Sequence, residues 1–418
     1  MEDKDNYLKL CNELCQACPQ KDFSPEQSAA QKEGWLKKTL APWSSKIEKI
    51  RTSPKRFAYR NKVCLRAQFE EGWKIGMTQQ DEILEIPTCP IHTEEVNEFV
   101  RVLKPLLPSY QEFPLAYLYI AQKQITFILK DRKKPELSFL SPIFPLMEKL
   151  GFEGLWLHLN PVCGMNVFMG KSWELVWGKA RSKDQSGLLY GPASFSQLIP
   201  ELHQKSLDTT FRFFALNEKD KIIDLYSGNG SSLKRWNEAH VEILGIEIVG
   251  EAIECAKLNV PEASVLRGLA KDRLPQMEQF IEGQNFSLYA NPPRTGLEPE
   301  VVEWLRNHPP QKMAYLSCSA GTLARDLEKL SSVLEVESIT PYDFFPGTRH
   351  VETLVLLKGK TMSQKTCPKC GKKFECTHDA NCWCMTLVIT PQNLKRLKAE
   401  YSDCLCEECL KEYSEKKD

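Results

Sequence analysis

The sequence predicts an α/β chain with a Rossmann-like nucleotide-binding region, a strand-rich region before it and a short cysteine-rich segment after it. Three observations support this. Over 186–360, apolar strand-like runs alternate with helical stretches, the texture of a parallel sheet covered by helices. Over 46–185 the chain looks strand-rich, with alternation in Tyr59 to Phe69 and strand-like runs at Ile125 to Lys130 and Gly154 to Asn160. Within 361–418, eight cysteines crowd into 43 residues.

A fourth region, 1–45, holds Cys11, Cys15 and Cys18 and then a helix expected from Pro25 to Leu40. Thr361 to Thr366 reads as a polar linker. With 418 residues the chain has room for two to four cores. No apolar run approaches the ~20 residues of a membrane span, and Met-Glu-Asp-Lys-Asp is not a secretory start, so a cytoplasmic location is expected. In a reducing compartment sixteen cysteines are not expected to pair, and clustered ones suggest metal. Lysine plus arginine equals aspartate plus glutamate at 55 each, so bulk charge selects no partner. Its distribution is less even: Lys46 to Arg66 carries eight basic residues against Glu48 alone, with Phe57 and Tyr59 among them. Such a run solvates a face as often as it holds nucleic acid.

KIIDLYSGNGSSL, Lys221 to Leu233, is an apolar strand ending in Asp224, then a glycine turn, then a helical stretch. Gly228 and Gly230 would let backbone approach a ligand at the carboxyl edge of a first strand, where open sheets bind nucleotides. Further on, ILGIEIVGEAIECAKLN supplies a second strand ending in Glu247, whose carboxylate can accept from both hydroxyls of a ribose. Glycines after a strand often serve packing alone; it is the acid–turn–acid pair that favours a nucleoside. The turn is not G-x-G-x-x-G and no Walker lysine follows. NAD and ATP are therefore disfavoured, and S-adenosylmethionine is expected.

Asn291-Pro292-Pro293-Arg294 leaves a strand expected over Phe286 to Ala290. Two prolines fix φ and remove two amide donors, so the loop is stiff and aims the Asn291 side chain. That amide matches the N3–H and carbonyl edge of uracil. The same NPP serves amino-methyltransferases, which usually carry an aromatic residue where Arg294 stands. Cys318 follows a strand-like run, Met313 to Leu316. Cysteines at strand ends are commonly core residues, but this one lies at the carboxyl end of a strand in the cofactor half. The C5 of a uracil becomes nucleophilic only when a thiolate adds to C6. After methylation the C5 proton must leave, and Glu352, in His350-Val351-Glu352, is the candidate base.

In order, DLYSGNG, GIEIVGEAIECAK, NPPRTGL, YLSCSAGTLARDL and FFPGTRHVETLVLL resemble the signature of the RNA uracil-C5 methyltransferases, which form 5-methyluridine. The resemblance covers nearly all of residues 8–358. Within that family the chain is most similar to the 23S rRNA branch, with NPPR where others have DPPR and without an extra amino-terminal β-barrel. The resemblance implies Cys318 as nucleophile, Glu352 as base, and Asn291, Arg294 and Gln197 around the uracil. It implies cofactor contacts from Gln197, Asp224, Tyr226, Gly228, Gly230, Glu247 and Asn291. RNA is then the expected partner of a monomeric enzyme, a 23S rRNA loop before tRNA, with no DNA or membrane. A loop suits a flipped uridine because unstacking is least costly there.

Three positions depart from the family pattern: Ser319 stands where SCN is usual, Ala270 where an acid follows the third strand (Asp272 lies two places on), and Leu198 after Gln197. Two other readings stay open: a base-amino methyltransferase that uses NPPR without the thiol, and a degenerate RNA-binding assembly protein.

Cys11, Cys15 and Cys18 with the distant Cys89-Pro90 resemble the family's iron–sulfur arrangement, which implies a [4Fe–4S] cluster clamping the amino-terminal segment onto the strand-rich region. The first spacing is shorter than the family's, so zinc stays open. Cys64, Cys163 and Cys255 are expected in the core. At the other end Cys367-Pro-Lys-Cys370-Gly is a zinc-knuckle turn, and Cys406-x2-Cys409 closes a matching pair. Cys376, Cys382, Cys384 and Cys404 could form a second zinc site, with His378 as a spare ligand. This stretch resembles the small cysteine-rich CWC family, after Cys382-Trp383-Cys384.

Overall fold

Val63, Leu65 and Ala67 are buried at every second position of β1 (Lys62–Phe69), the alternation expected of a strand with one face on a core. The computed structural model describes residues 10–80, 82–163, 167–168, 172–360, 363–376, 384 and 387–414. In it β1 joins β2 (Trp73–Gln79), β3 (Glu82–Glu85), β4 (Leu115–Ala121), β5 (Gln124–Leu129), β6 (Gly154–Leu159) and β7 (Trp173–Gly178) in a sheet of order β3-β2-β1-β4-β5-β6-β7. Its neighbours run antiparallel except β5 and β6. The helix Glu94–Leu103 buries Val96, Phe99, Val100 and Leu103, one helical stripe, and shares a core with Val63, Leu118, Phe127 and Leu155. A two-residue pair, β8 (Ser182–Lys183) and β9 (Leu189–Tyr190), leads out of this region.

The second sheet comprises β10 (Lys221–Leu225), β11 (Glu242–Glu247), β12 (Ser264–Arg267), β13 (Phe286–Ala290), β14 (Lys312–Ser317), β15 (Leu334–Tyr342) and β16 (Glu352–Gly359). Its order is β12-β11-β10-β13-β14-β16-β15, parallel except for β16, which runs against both neighbours. This is an α/β Rossmann-like fold. Period-two alternation sorts its side chains. Ile222, Tyr289, Ala314, Leu316, Leu354 and Leu356 share one core with Leu202, Leu207 and Phe214 of the helix Pro200–Phe214. Ile223, Leu288, Met313, Tyr315, Val355 and Leu357 share the other with Leu323 and Leu327 of the helix Ala320–Leu330.

The first helix among the described residues runs Pro25–Thr39, entered through a capping box between Ser24 and Gln27. Its Leu36 and the following Leu40 sit in the core of the second sheet, so the amino-terminal segment is not clamped to the strand-rich region alone. Ile47 and Arg51 continue this attachment by bridging to Ile339 and Tyr342 of β15. The stretch expected as a polar linker is also structured. β17 (Ser363–Thr366) pairs antiparallel with β18 (Lys373–Cys376), because the Cys367–Cys370 turn folds the chain back on itself. Of the three lone cysteines only Cys255 is in the core; Cys163 is half-buried, and Cys64, at an outward position of β1, is exposed.

Candidate active site

Parallel neighbours bring the ends of β10, β13 and β14 to one edge, where open sheets take their ligands. β16 starts at that same edge because it runs the other way. Ser317 pairs with Thr353, so the next step along each strand sets Cys318 against Glu352. Alternation continued from Tyr289, Leu316 and Leu354 assigns Asn291, Cys318 and Glu352 to one face, that of the helix Pro200–Phe214.

Glu352 is 3% exposed, and its Oε2 has no hydrogen-bond partner among the described residues. Burial pushes its carboxyl up to about 7 against the pull of the Arg294 guanidinium. Cys318 is half-buried. Burial raises its thiol, Glu352 adds to that, and Arg294 opposes it, so the three side chains act on one another. Ser319, where an asparagine is usual, leaves the thiol loop held by its neighbours. The Ser319 amide donates to Ser317 Oγ (3.2 Å), and the Ser319 carbonyl accepts from Ser317 Oγ (3.1 Å) and Thr322 Oγ1 (3.2 Å).

The Asn291–Leu297 loop is strapped to the helix Ala320–Leu330. Thr322 Oγ1 donates to the Arg294 carbonyl (3.1 Å), Arg325 to the Thr295 carbonyl (2.8 Å), and the Leu297 amide to Asp326 (3.0 Å). Asp326 is fully buried and also takes the Tyr315 hydroxyl (2.8 Å). Gly296 is required here: its φ is +78°, and a Cβ would lie 2.5 Å from Asp326. Neither Arg325 nor Asp326 was singled out by sequence reasoning, although both lie in the quoted string YLSCSAGTLARDL.

A cleft of about 430 Å³ opens beside this edge, lined by Gln197, Tyr226, Gly228, Asn229, Tyr289 and Asn291 among others. Cys318, Glu352 and Glu247 do not line it. Tyr289 was also missed; its hydroxyl is buried and unpartnered among the described residues, and burial with Asp224 and Glu352 nearby raises its phenol far above the usual range. The two turn glycines do different work. A Cβ on Gly228 would meet nothing within 4 Å, which leaves room for a ligand, whereas one on Gly230 would come 3.3 Å from Ala256 of the next helix. Tyr226 takes the left-handed conformation too, at φ +63°, which costs a non-glycine residue about 1 kcal/mol. Its hydroxyl is anchored on Glu298.

Glu247 ends β11 with its carboxylate in the turn. Its Oε2 accepts from the Gly228 amide (2.9 Å) and its Oε1 from the Ile248 and Val249 amides (2.8 Å each). Exposed Ile248, Val249 and Leu269 flank it. Asp224, expected as a cofactor contact, is fully buried and does not line that cleft. It accepts from Trp236 Nε1 (2.7 Å), and burial pushes its carboxyl up to about 7. All five residues of β10 are buried, so an acid at that position supports the turn from beneath. Ala270 is buried and Asp272 exposed, so neither departure opens a gap in the fold.

Of the basic run, Lys55 lines the cleft, and Lys62 sits 3.8 Å from the centre of the exposed Phe195 ring. Arg51 pairs with Glu48 instead (3.2 Å).

Cys11, Cys15, Cys18 and Cys89 line one cavity of about 90 Å³, together with the exposed Cys64. The loop bearing Cys89 is fixed by Asn97, whose side chain accepts from the Cys89 amide (2.9 Å) and donates to its carbonyl (3.1 Å). At the other end, the Sγ atoms of Cys367, Cys370, Cys406 and Cys409 all lie within 4.8 Å of one another. Cys376, Cys384 and Cys404 line a separate, apolar cavity with Phe374, Leu397 and Leu405. Cys382 and His378 fall outside the described residues.

No helix among the described residues is long and apolar enough to cross a membrane. Residues 188–360 match the family model of the tRNA (uracil-5-)-methyltransferases, and residues 367–411 that of the cysteine-rich CWC proteins. An uncharacterized RNA methyltransferase of Clostridium tetani is 28% identical over 340 residues, 74% of this chain and 73% of the relative. One of Streptococcus agalactiae is 33% identical over 301 residues, 66% and 65% of the two chains. Among solved structures, the tRNA (uracil-54, C5)-methyltransferase of Pyrococcus abyssi, bound to S-adenosyl-L-homocysteine, superposes with a TM-score of 0.63 at 23% identity. It covers 83% of this chain and 86% of its own, a likeness of fold. Residues 188–360 thus match the tRNA (uracil-5-)-methyltransferase family, a cysteine-rich CWC match follows them, and the relatives are named RNA methyltransferases.

Proposed function

We propose that this protein methylates C5 of a uridine in RNA through a covalent adduct between Cys318 and uracil C6. One observation carries the reading: the β14–β16 register, which pairs Ser317 with Thr353, brings Cys318 and Glu352 to one edge a step further on, and the carboxyl is pushed up to about 7. S-adenosylmethionine, when bound, supplies the electrophilic methyl. The Cys318 thiolate adds to C6 and drives the electrons of the C5–C6 double bond toward C5 and the O4 carbonyl. C5 then takes the methyl. Glu352, with a pKa close to working pH, removes the C5 proton. The returning electrons restore the double bond and expel the thiolate. Asn291 and Gln197 at the cleft suit the uracil edge, and Arg294 offsets charge on the thiolate and the enolate. Glu247 Oε2 has one lone pair left for a ribose hydroxyl, beside the apolar surface of Ile248, Val249 and Leu269 for a purine. The open space over Gly228 fits a cofactor that approaches backbone closely.

The NPPR loop and the four amino-terminal cysteines favour a loop uridine of 23S rRNA as the target, acted on in the cytoplasm. The quartet Cys11, Cys15, Cys18 and Cys89 suits a [4Fe–4S] cluster. Its four cysteines line one cavity, as the ligands of a cluster would. The tight carboxyl-terminal quartet suits zinc.

The test has two arms. Cys318→Ala should abolish 5-methyluridine formation, while Glu352→Gln should accumulate a denaturant-stable RNA adduct visible by mass spectrometry. Methylation that survives Cys318→Ala would remove the thiol and favour amino methylation. Nucleoside mapping of rRNA and tRNA from cells lacking the protein assigns the substrate; a loss confined to tRNA would sink the ribosomal assignment.

A further inference from the structure

Between Tyr342, the last residue of β15, and Glu352, the first of β16, the chain makes a hairpin whose exit carries the candidate base. The amino-terminal sixty residues grip this hairpin at three consecutive carbonyls. Lys32 Nζ donates to the Phe345 carbonyl (3.2 Å), the Tyr59 hydroxyl to the Pro346 carbonyl (3.2 Å), and the Gln20 amide to the Gly347 carbonyl (2.9 Å). Lys32 Nζ also pairs with Asp343 Oδ1 at 2.6 Å, with side-chain exposures of only 1% and 8%. One ammonium thus spans both ends of the turn's first leg. Gly347, at φ +79°, reverses the chain against Cys18, and Thr348 lines the cavity of the four cysteines.

A buried ion pair is a poor source of net stability, because desolvation offsets most of its attraction, but it does favour a single arrangement over near alternatives. Here the arrangement it selects is that of the segment entering β16. We propose that Lys32 is a positioning residue for proton removal: through Asp343 and the Phe345 carbonyl it fixes the hairpin that sets Glu352 opposite Cys318. The inference rests on Glu352 being the base. In chemical terms Lys32 touches neither the uracil nor the cofactor. Its loss leaves the thiolate free to attack and C5 free to take the methyl, while the C5 proton leaves slowly, so the Cys318–C6 bond persists.

The experiment uses the full chain with an RNA transcript bearing the target uridine, and reads 5-methyluridine and denaturant-stable adduct in the same time course. Lys32→Met should slow product formation at least about ten-fold while raising the adduct fraction above wild type, with the KM for RNA within about two-fold. Lys32→Arg, which keeps the charge, should restore most of the rate. Should Lys32→Met fail to fold, Asp343→Asn removes half of the pair without changing shape and is read the same way. Product and adduct falling together would mark a merely structural role and overturn the proposal, as would an unchanged time course. If Glu352→Gln traps adduct and Lys32→Met does not, the clamp alone fails. If the wild type yields neither product nor adduct, the proposed reaction falls, and the clamp falls with it.

Discussion

The chain carries a cysteine quartet near each end, and the two differ in what surrounds them. The carboxyl-terminal four draw their sulfurs within 4.8 Å of one another on a turn and a short helix, over a small core of Leu397, Leu405, Leu410 and Tyr413. The amino-terminal four line a cavity of about 90 Å³, which Val63, Leu65, Met77 and Thr348 from other parts of the fold help to wall. Asn12 reaches the Glu85 carbonyl of the first sheet (3.2 Å), Asn97 holds Cys89, and the Gln20 amide reaches the hairpin before Glu352. A quartet inside its own small segment can order only that segment. One placed between two sheets can order what both sheets present, and here that includes the candidate base.

This contrast breaks if both quartets respond alike. The largest effect is expected at Cys89. Cys89→Ser should bring the iron content of anaerobically purified protein close to zero and lower 5-methyluridine formation by roughly 10- to 100-fold, since small displacements of a positioned group are costly. Iron retained at wild-type level would dismiss the cluster; iron lost with full turnover would dismiss the link to the hairpin.

A different response is expected at the other quartet. Structural zinc supplies folding energy to segments too small to fold on apolar burial. Cys370→Ser should remove about one equivalent of zinc and make residues 363–414 protease-sensitive, with turnover within about two-fold of wild type. A fall in turnover as deep as that of Cys89→Ser would put the CWC segment in contact with the substrate and undo the distinction.

How much of this was legible in the sequence follows from what each feature depends on. Strand periodicity and the glycine turn are local, so β10, β13, β14 and the Asn291 loop could be read residue by residue. The cysteine spacings likewise announced both quartets, but spacing is one-dimensional and does not give the separation of the sulfurs. The burial of Asp224 was not legible for a related reason: an acid ending an apolar strand gives no local sign that the strand is buried over its whole length or that Trp236 donates to one of its carboxylate oxygens. Ser363 to Thr366 looked like linker because its pairing partner lies beyond the Cys367–Cys370 turn. Lys32 and Asp343 lie 311 residues apart, and nothing in either neighbourhood names the other.

The smallest expected effect is thermodynamic, and it probes the same contrast through Glu352. Burial raises this carboxyl from 4.5 to about 7, so the folded protein holds the proton more tightly than the unfolded chain does. The stabilising contribution is complete below pH 4.5 and is lost as pH rises through 7, where the fold must bury a charge. A glutamine at 352 does not titrate. The stability of Glu352→Gln relative to wild type should therefore grow across this window by roughly 1–3 kcal/mol and then level off. Urea midpoints followed by tryptophan fluorescence at several values between about pH 5 and 8 would measure it. Cys18→Ser should narrow the window, because a loosened hairpin admits water to Glu352, while Cys370→Ser should leave it unchanged. Parallel curves for Glu352→Gln and wild type would mean that the carboxyl is solvated in solution, and the pairing of a poised base with Cys318 would lose its support.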